Sequence, residues 1–464
     1  MFDRLVPEAL AEAATAHLRH DGVERGAIVA WLGHNSWDML ATLVACQRLG
    51  AVLLPLNWRL AGPELAQIVE HAGAGHLVGT PECEKLAGEV LALARLAPGP
   101  AAGVQGGDLL LVYTSGTTGA PKAAVHTQGN LLANMAIAAS VQGLSAEDTV
   151  LTVLPLFHVG GLCIQTLPAL SVGATVLLHS RFDPTATLRA IATERPSLTL
   201  QVPATLQALT AHPGWTATDL SCLRTVWAGS SLLPPEPLKA FMARGVPVSN
   251  VYGSTETGPF SIALPPEQTA THLGSCGWPA PGVEIRLLDP QGQPVRPGQV
   301  GEIAVRAPNV VAQYWPDFPA LDAEGFFRSG DLAQQAADGS YTVVGRAKDM
   351  IISGGENIYP AEIENLIAQH PAVAECSVLG QADERWGEVA VAVVVLRDPQ
   401  AGDGWDAPLR AFLDGRLARY KWPRRWVRLE ALPRTALGKV QKAALKALLE
   451  TPAPDRPASP ARSG

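Results

Sequence analysis

The sequence predicts an α/β protein: a large N-terminal domain of two α/β subdomains plus a small β-rich region, followed by a small α+β C-terminal domain. Three observations predict this. Helix-like stretches alternate with short apolar runs through the first half of the chain, and turn residues crowd in beyond Gly282. A further mixed unit begins near Asp349, and 464 residues are too many for one ordinary core.

Residues 8–19, 37–49 and 63–71 read as helices, and the apolar runs 27–32 and 51–54 as strands, which together make parallel βαβ units. Gly50 stops one helix, and Pro63 sits in a first turn, where its missing N–H costs nothing. Residues 97–107, rich in Pro, Gly and Ala, form a loop. A second series follows, with strands near Leu109, Val150, Thr175, Leu198 and Thr225 and helices after Gln128, Asp183, Thr205 and Pro234. Asp183-Pro184 is a favourable helix start. The turns Asp289-Pro290-Gln291-Gly292 and Arg296-Pro297-Gly298 separate short strands. The expected domains are 1–347 and 348–450, with a Pro/Ala/Ser-rich tail, 451–464, expected to be disordered.

Hydrophobic residues make up 47% of the chain and charged ones 17%, which indicates a well-buried globular protein. A net charge of -8 provides no basic face, so nucleic acid is not an expected partner. The six cysteines are scattered without a CxxC pair and read as reduced thiols. The N-terminus enters its first helix without a signal-peptide pattern, so a cytoplasmic location is expected. Residues 150–178 hold no charge and are long enough to cross a bilayer. Pro155, His158, Gly160-Gly161, Gln165, Pro168 and Gly173 break them into strand, loop, helix and strand, so no transmembrane segment is expected.

The string Tyr113-Thr114-Ser115-Gly116-Thr117-Thr118-Gly119-Ala120-Pro121-Lys122 directly follows an apolar strand. Its glycines let backbone amides approach a polyphosphate, its hydroxyls add donors and its lysine adds charge. Pro121, and the lack of Ser or Thr after Lys122, separate it from the GxxxxGK[ST] loop. A Gly/Thr-rich surface turn is the alternative. In Tyr252-Gly253-Ser254-Thr255-Glu256-Thr257-Gly258 the aromatic could lie on a base, Thr255 could donate to a phosphate and Glu256 could hold magnesium; a helix-start cap is the other reading.

These strings resemble motifs of the adenylate-forming superfamily of acyl-CoA synthetases, firefly-type luciferases and peptide-synthetase adenylation domains. Others appear in the same order: LPLFHVGG at 154–161, RSGD at 328–331, GRAKDMIISGGENIYP at 345–360 and PRTALGK at 433–439. The resemblance implies an AMP-forming carboxylate–CoA ligase that uses ATP, Mg2+ and coenzyme A, with a mobile C-terminal domain. It implies that Thr114, Ser115, Gly116, Thr117, Thr118, Gly119, Lys122, Gly229, Asn250, Tyr252, Gly253 and Thr255 bind the nucleotide and that Glu256 holds the metal. Asp331 and Arg346 are similar to the residues that hold the ribose, Lys348 to the hinge, and Gly354 and Gly355 to those that line the thiol path, with Asn357 also among the cofactor-binding residues. Lys439 resembles the adenylating lysine, an ammonium that can swing onto the reacting carboxylate and phosphate. Catalysis is thus expected of Lys439, Glu256, Thr255 and Lys122. The basic run Arg416, Arg419, Lys421, Arg424, Arg425 and Arg428 reads first as a solvated face, with CoA phosphates as the alternative.

By the same resemblance His158, Gly161, Trp227, Ala228 and Gly253 border the acyl pocket, although a core role fits His158 equally. By the resemblance the pocket is built from the segments after His158, around 202–204, at 227–231 and at 252–262, whose only charge is Glu256, which disfavours a diacid. Gly161, Ala228, Gly229 and Gly253 suggest space for a fatty chain or an aromatic acid. Likeness to bacterial fatty-acyl-CoA synthetases tips the expectation toward a medium- or long-chain fatty acid; the alternatives are an aromatic carboxylate such as succinylbenzoate or a cinnamate-type acid, or transfer to a carrier protein. A homodimer is left open. By the resemblance, relatives usually show a second glycine where Ser230 stands and a glycine at Ala123, so differences in pocket detail are expected; most also carry more residues ahead of the first helix, so either an abbreviated N-terminal subdomain or a shortened sequence is expected.

Overall fold

The computed structural model describes residues 2–114, 122–229, 233, 235–354, 356–402, 404–434 and 440–450. The chain divides into two compact units, Met1–Val344 and Gly345–Gly464. The division falls inside the strand Tyr341–Arg346, slightly ahead of the expected 347/348 boundary. The tail 451–464 lies outside the described residues.

The first unit holds two seven-stranded sheets. In one, Asp108–Thr114, Val52–Leu56, Ile28–Leu32 and His76–Gly79 lie side by side and parallel, and Lys122–Thr127 returns antiparallel beside Asp108–Thr114. In the other, Val248–Tyr252, Thr225–Gly229, Leu198–Gln201, Thr149–Thr152 and Thr175–Leu178 are parallel. Their near-continuous apolar sequences suit strands covered on both faces. Residues 28–32 and 52–56 are buried throughout.

Local signals start and stop the helices as the sequence indicates. Ser36 accepts from Met39 N ahead of helix Trp37–Leu49, which ends on Gly50 in the left-handed conformation. Asp183 accepts from Ala186 N at 2.7 Å and begins helix Pro184–Glu194. The uncharged stretch forms strand Thr149–Thr152, helical turns from Val159 to Ser171 and strand Thr175–Leu178. Among the described residues no helix is long and apolar enough to cross a membrane.

Among the strands that escape the sequence pattern are His76–Gly79, Lys122–Thr127 and Val248–Tyr252. The helix expected after Thr205 starts at Pro203, because the Thr205 hydroxyl turns back to accept from Val202 N at 2.9 Å. A four-stranded sheet, Glu284–Leu288, Val300–Arg306, Phe327–Gln335 and Tyr341–Arg346, forms the small β-rich region.

The second unit has strands Glu356–Ile358, Ile351–Ser353, Gly387–Leu396 and Val373–Asp383, with Arg425–Arg428 added beside Gly387–Leu396. Helices Pro360–Ile367, Ala407–Leu413 and Lys442–Glu450 accompany this sheet. Ile363, Ile367, Val394, Leu409 and Leu413 form the centre of its own core.

Candidate active site

The phosphate-loop candidate joins two antiparallel strands, and the register sets Thr114 opposite Lys122. Residues 115–121, including Ser115, Gly116, Thr117, Thr118 and Gly119, lie outside the described residues. The strand–loop–strand context differs from the strand–loop–helix context of a GxxxxGK[ST] site. Lys122 is exposed, with Nζ 5.0 Å from the centre of the Tyr314 ring.

Tyr314 links that lysine to the carboxylate, since its hydroxyl donates to Glu256 Oε1 at 2.8 Å. Burial, with the Glu256 charge behind it, pushes the Tyr314 pKa well up, so the phenol stays a donor. Thr255 and Glu256 occupy the short turn Thr255–Thr257, which resembles the cap alternative in shape while presenting the carboxylate. Buried Asn309 secures this turn by donating to Thr257 O at 2.8 Å, and Val311 N donates to Glu256 O at 2.8 Å. Tyr314 was not anticipated. The only sequence signal is an aromatic pair in an otherwise loop-like stretch, which carries no spacing pattern.

His126 was also missed. It lies on the same strand as Lys122, four residues on, and is fully buried. Burial drives its pKa down to about 4, against a weaker upward pull from the nearby Thr255 carbonyl. A neutral imidazole therefore backs the turn that holds Thr255.

The strand Val248–Tyr252 brings Asn250 and Tyr252 to the carboxyl end of the parallel sheet, where α/β sheets bind ligands. The Tyr252 hydroxyl donates to Asp331 Oδ2 at 2.9 Å, which joins the proposed base-stacking and ribose-binding side chains. Asp331 is buried to 7% exposure, so its carboxylate is poised toward specific donors rather than bulk water. Asn250 donates to Ser275 O at 3.1 Å. Arg346 ends its strand in the second unit.

The glycines expected to give acyl room do something else. A Cβ on Gly253 would stand 1.6 Å from Pro259 O, on Gly161 2.3 Å from Pro155 O, and on Gly229 2.5 Å from Val251 O. Neighbouring backbone fills those positions, so the glycines permit close packing and open no channel. Ala228 and Trp227 are likewise fully buried; the Trp227 ring meets Phe260 at 5.9 Å between centroids. His158 is partly exposed in a densely packed recess, and burial followed by the charge of Arg59 lowers its pKa to about 4. Arg59, which the sequence did not flag, lies over the rings of Trp58 at 4.9 Å and Phe157 at 5.9 Å. A cation thus approaches the recess from outside the segments that carried only Glu256.

In the second unit Lys348 is exposed in the turn Ala347–Asp349. Gly354 has φ +61°, and its Cβ position is blocked by the Trp386 ring, so glycine is required there for the turn itself. Asn357 is exposed on the strand that follows, whereas Gly355 and Lys439 lie outside the described residues. Much of the basic run is engaged with its own unit: Lys421 pairs with Glu362 at 2.7 Å and Arg419 with Asp414 at 2.9 Å.

Lys122 and Glu256 meeting at Tyr314, and a Tyr–Asp pair at the carboxyl edge of a parallel sheet, fit a nucleotide-using α/β enzyme. The sequence pattern of the AMP-binding enzyme family matches residues 8–315, and that of the AMP-binding enzyme C-terminal domain matches 362–439. Indoleacetate–CoA ligase of Aromatoleum aromaticum is 46% identical over 464 aligned positions, 93% of this chain and 90% of that one. Feruloyl-CoA synthase of an Amycolatopsis species is 43% identical, covering 92% and 89%. The structure of o-succinylbenzoate CoA synthetase from Bacillus subtilis with its acyl-adenylate superposes with a TM-score of 0.81 at 32% identity, covering 94% and 92%. The chain belongs to the AMP-binding enzyme family, as an AMP-forming acid–thiol ligase.

Proposed function

We propose that this ligase activates an aromatic monocarboxylic acid, of the arylacetic or cinnamate type, and transfers the acyl group to coenzyme A. This replaces the fatty-acid expectation. The observation that carries it is that relatives at 46% and 43% identity, aligned over about nine tenths of both chains, are named for indoleacetate and ferulate. The filled glycine positions give an alkyl chain no extra depth.

In the first step the substrate carboxylate attacks the ATP α-phosphate and pyrophosphate leaves. Thr114 and Lys122 stand at the mouth of the loop that would cradle the phosphates, and Tyr252 with Asp331 would seat the nucleoside. Glu256 offers a hard carboxylate oxygen, and magnesium bound to a nucleotide takes its other ligands largely from phosphate and water, so the residues fit that ion. When bound, it would neutralise phosphate charge. Lys439 would stabilise the charge that builds on the transferring phosphoryl group. In the second step the CoA thiol displaces AMP from the acyl carbon, after the C-terminal domain turns about Lys348.

AMP formation tests the proposal, measured with indole-3-acetate, ferulate, octanoate and palmitate, with and without CoA. An aryl acid should exceed both fatty acids in kcat/KM by about a hundredfold, the scale at which a shaped pocket discriminates. A fatty acid turning over faster than every aryl acid would overturn the aromatic reading.

A further inference from the structure

The residues on either side of 435–439, the segment that ends in Lys439, pair with one another. Arg434 and Val440 form an antiparallel bridge, Gln441 N donates to Pro433 O at 2.8 Å, and Gln441 Nε2 donates to Arg434 O at 3.1 Å. Arg434 also pairs with Glu375.

Three residues beyond Lys439, Lys442 opens the final helix, Lys442–Glu450. A cation at the first turn opposes the helix dipole, so the helix itself gives no reason for a lysine there. Its surroundings do. Lys442 Nζ lies 3.2 Å from Glu364 Oε1 and 4.0 Å from Asp349 Oδ2, and it donates to Val378 O at 3.1 Å. Glu364 is fixed in turn, since its Oε1 accepts from Val378 N at 2.7 Å and from the Ser377 hydroxyl at 3.4 Å. Asp349 closes the turn Ala347–Asp349, in which Lys348 stands. One ammonium therefore ties together the base of the Lys439 segment, a strand and a helix of the second unit, and the turn at the expected hinge.

We infer that Lys442 is a positioning residue for adenylation: it holds the base of the Lys439 segment in register with the hinge turn, so that rotation about Lys348 carries the Lys439 ammonium to one defined place. The inference rests on Lys439 serving the adenylation step. An ammonium displaced by about an ångström loses up to about a hundredfold in rate, because the reacting geometry is narrow. Thiolysis does not use that ammonium and is indifferent to its place.

Both half-reactions are measured in the full chain: pyrophosphate release from ATP and an aryl acid, and thiolysis of supplied aryl-adenylate by CoA. Lys442→Met should lower kcat for pyrophosphate release by about tenfold or more, with KM for ATP and acid nearly unchanged and thiolysis within about twofold. Lys442→Arg should recover most of the loss. The double variant Lys439→Ala/Lys442→Met should be no slower than Lys439→Ala, since Lys442 acts only through Lys439. Equal losses in the two half-reactions, no recovery with arginine, or additive losses in the double variant would overturn the inference. If Lys442→Met is not recovered folded, Asp349→Asn is measured in the same way, a selective adenylation loss supporting the inference and an equal or absent loss overturning it. Lys439→Ala separates the two levels: unimpaired pyrophosphate release there overturns the role of Lys439, whereas its loss beside a normal Lys442→Met overturns the inference about Lys442 alone.

Discussion

Replacing Tyr314 by Phe removes one oxygen and keeps the ring that faces Lys122. The oxygen lost is the donor 2.8 Å from Glu256 Oε1. A hydrogen bond to a charged group is worth about 1.5–3 kcal/mol, and because Glu256 is partly exposed the lower end applies. If that energy orients the carboxylate toward the nucleotide's metal, its loss slows adenylation by about tenfold, since 1.4 kcal/mol is a factor of ten. The assay is ATP–pyrophosphate exchange across a magnesium titration, with thiolysis of supplied aryl-adenylate as the internal control. The expected result is a lower exchange rate and a higher magnesium requirement, with thiolysis close to wild type. Exchange within about twofold of wild type at every magnesium concentration would refute the reasoning, because the hydrogen bond would then be too weak to direct Glu256.

Other outcomes follow from the same geometry. Lys348→Pro should slow CoA-dependent turnover while leaving pyrophosphate release largely intact, because proline fixes φ at the residue that must rotate; rapid-quench measurement of the two steps decides it. Gly253→Ala should destabilise the protein by about 3 kcal/mol or more, read from urea unfolding, since its Cβ would stand 1.6 Å from Pro259 O. Burial holds the His126 pKa near 4 in the folded chain, below the ordinary 6.5. The unfolded chain therefore binds the extra proton first, so this contribution to stability is complete above about pH 6.5 and is lost as pH falls toward 4, by about 3 kcal/mol in all. His126→Leu should flatten that part of the stability profile; coincident slopes for variant and wild type would show that the group does not titrate as its burial requires.

Much of the fold was legible because its signals are local. Helix Trp37–Leu49 has its cap at Ser36 and its stop at Gly50 inside one short window. Strand Lys122–Thr127 was not legible, because Lys-Ala-Ala-Val-His-Thr has neither alternation nor a β-branched run and is a strand through pairing with Asp108–Thr114. Among site residues, Tyr252, Glu256 and Asp331 stand in compact motifs, and the structure adds the Tyr252–Asp331 hydrogen bond across a separation of 79 residues. Tyr314 reaches Glu256 across 58 residues, and Arg59 reaches Phe157 through the fold alone. Such contacts leave no periodicity to read. The glycine reading failed for a related reason: a sequence shows that a side chain is missing, but only the packing shows what occupies its place.

The distribution of these groups bears on the proposed succession of adenylation and thiolysis. Tyr252, Asp331, Glu256 and Lys122 are borne by sheets and short turns of the first unit, and buried strands resist the displacement that would spoil a phosphate site. Lys348, Gly354 and Lys439, the residues proposed to change place between adenylation and thiolysis, all belong to the second unit, which has a core of its own. A unit with its own core can reorient at the cost of a few backbone dihedrals and not of its packing. Rotation alone would still leave Lys439 imprecise if its segment moved independently of the turn that rotates. The contacts of Lys442 with Glu364 and Asp349 supply the missing constraint, and for that reason a selective defect of Lys442→Met in adenylation is the sharpest consequence of the two-unit mechanism.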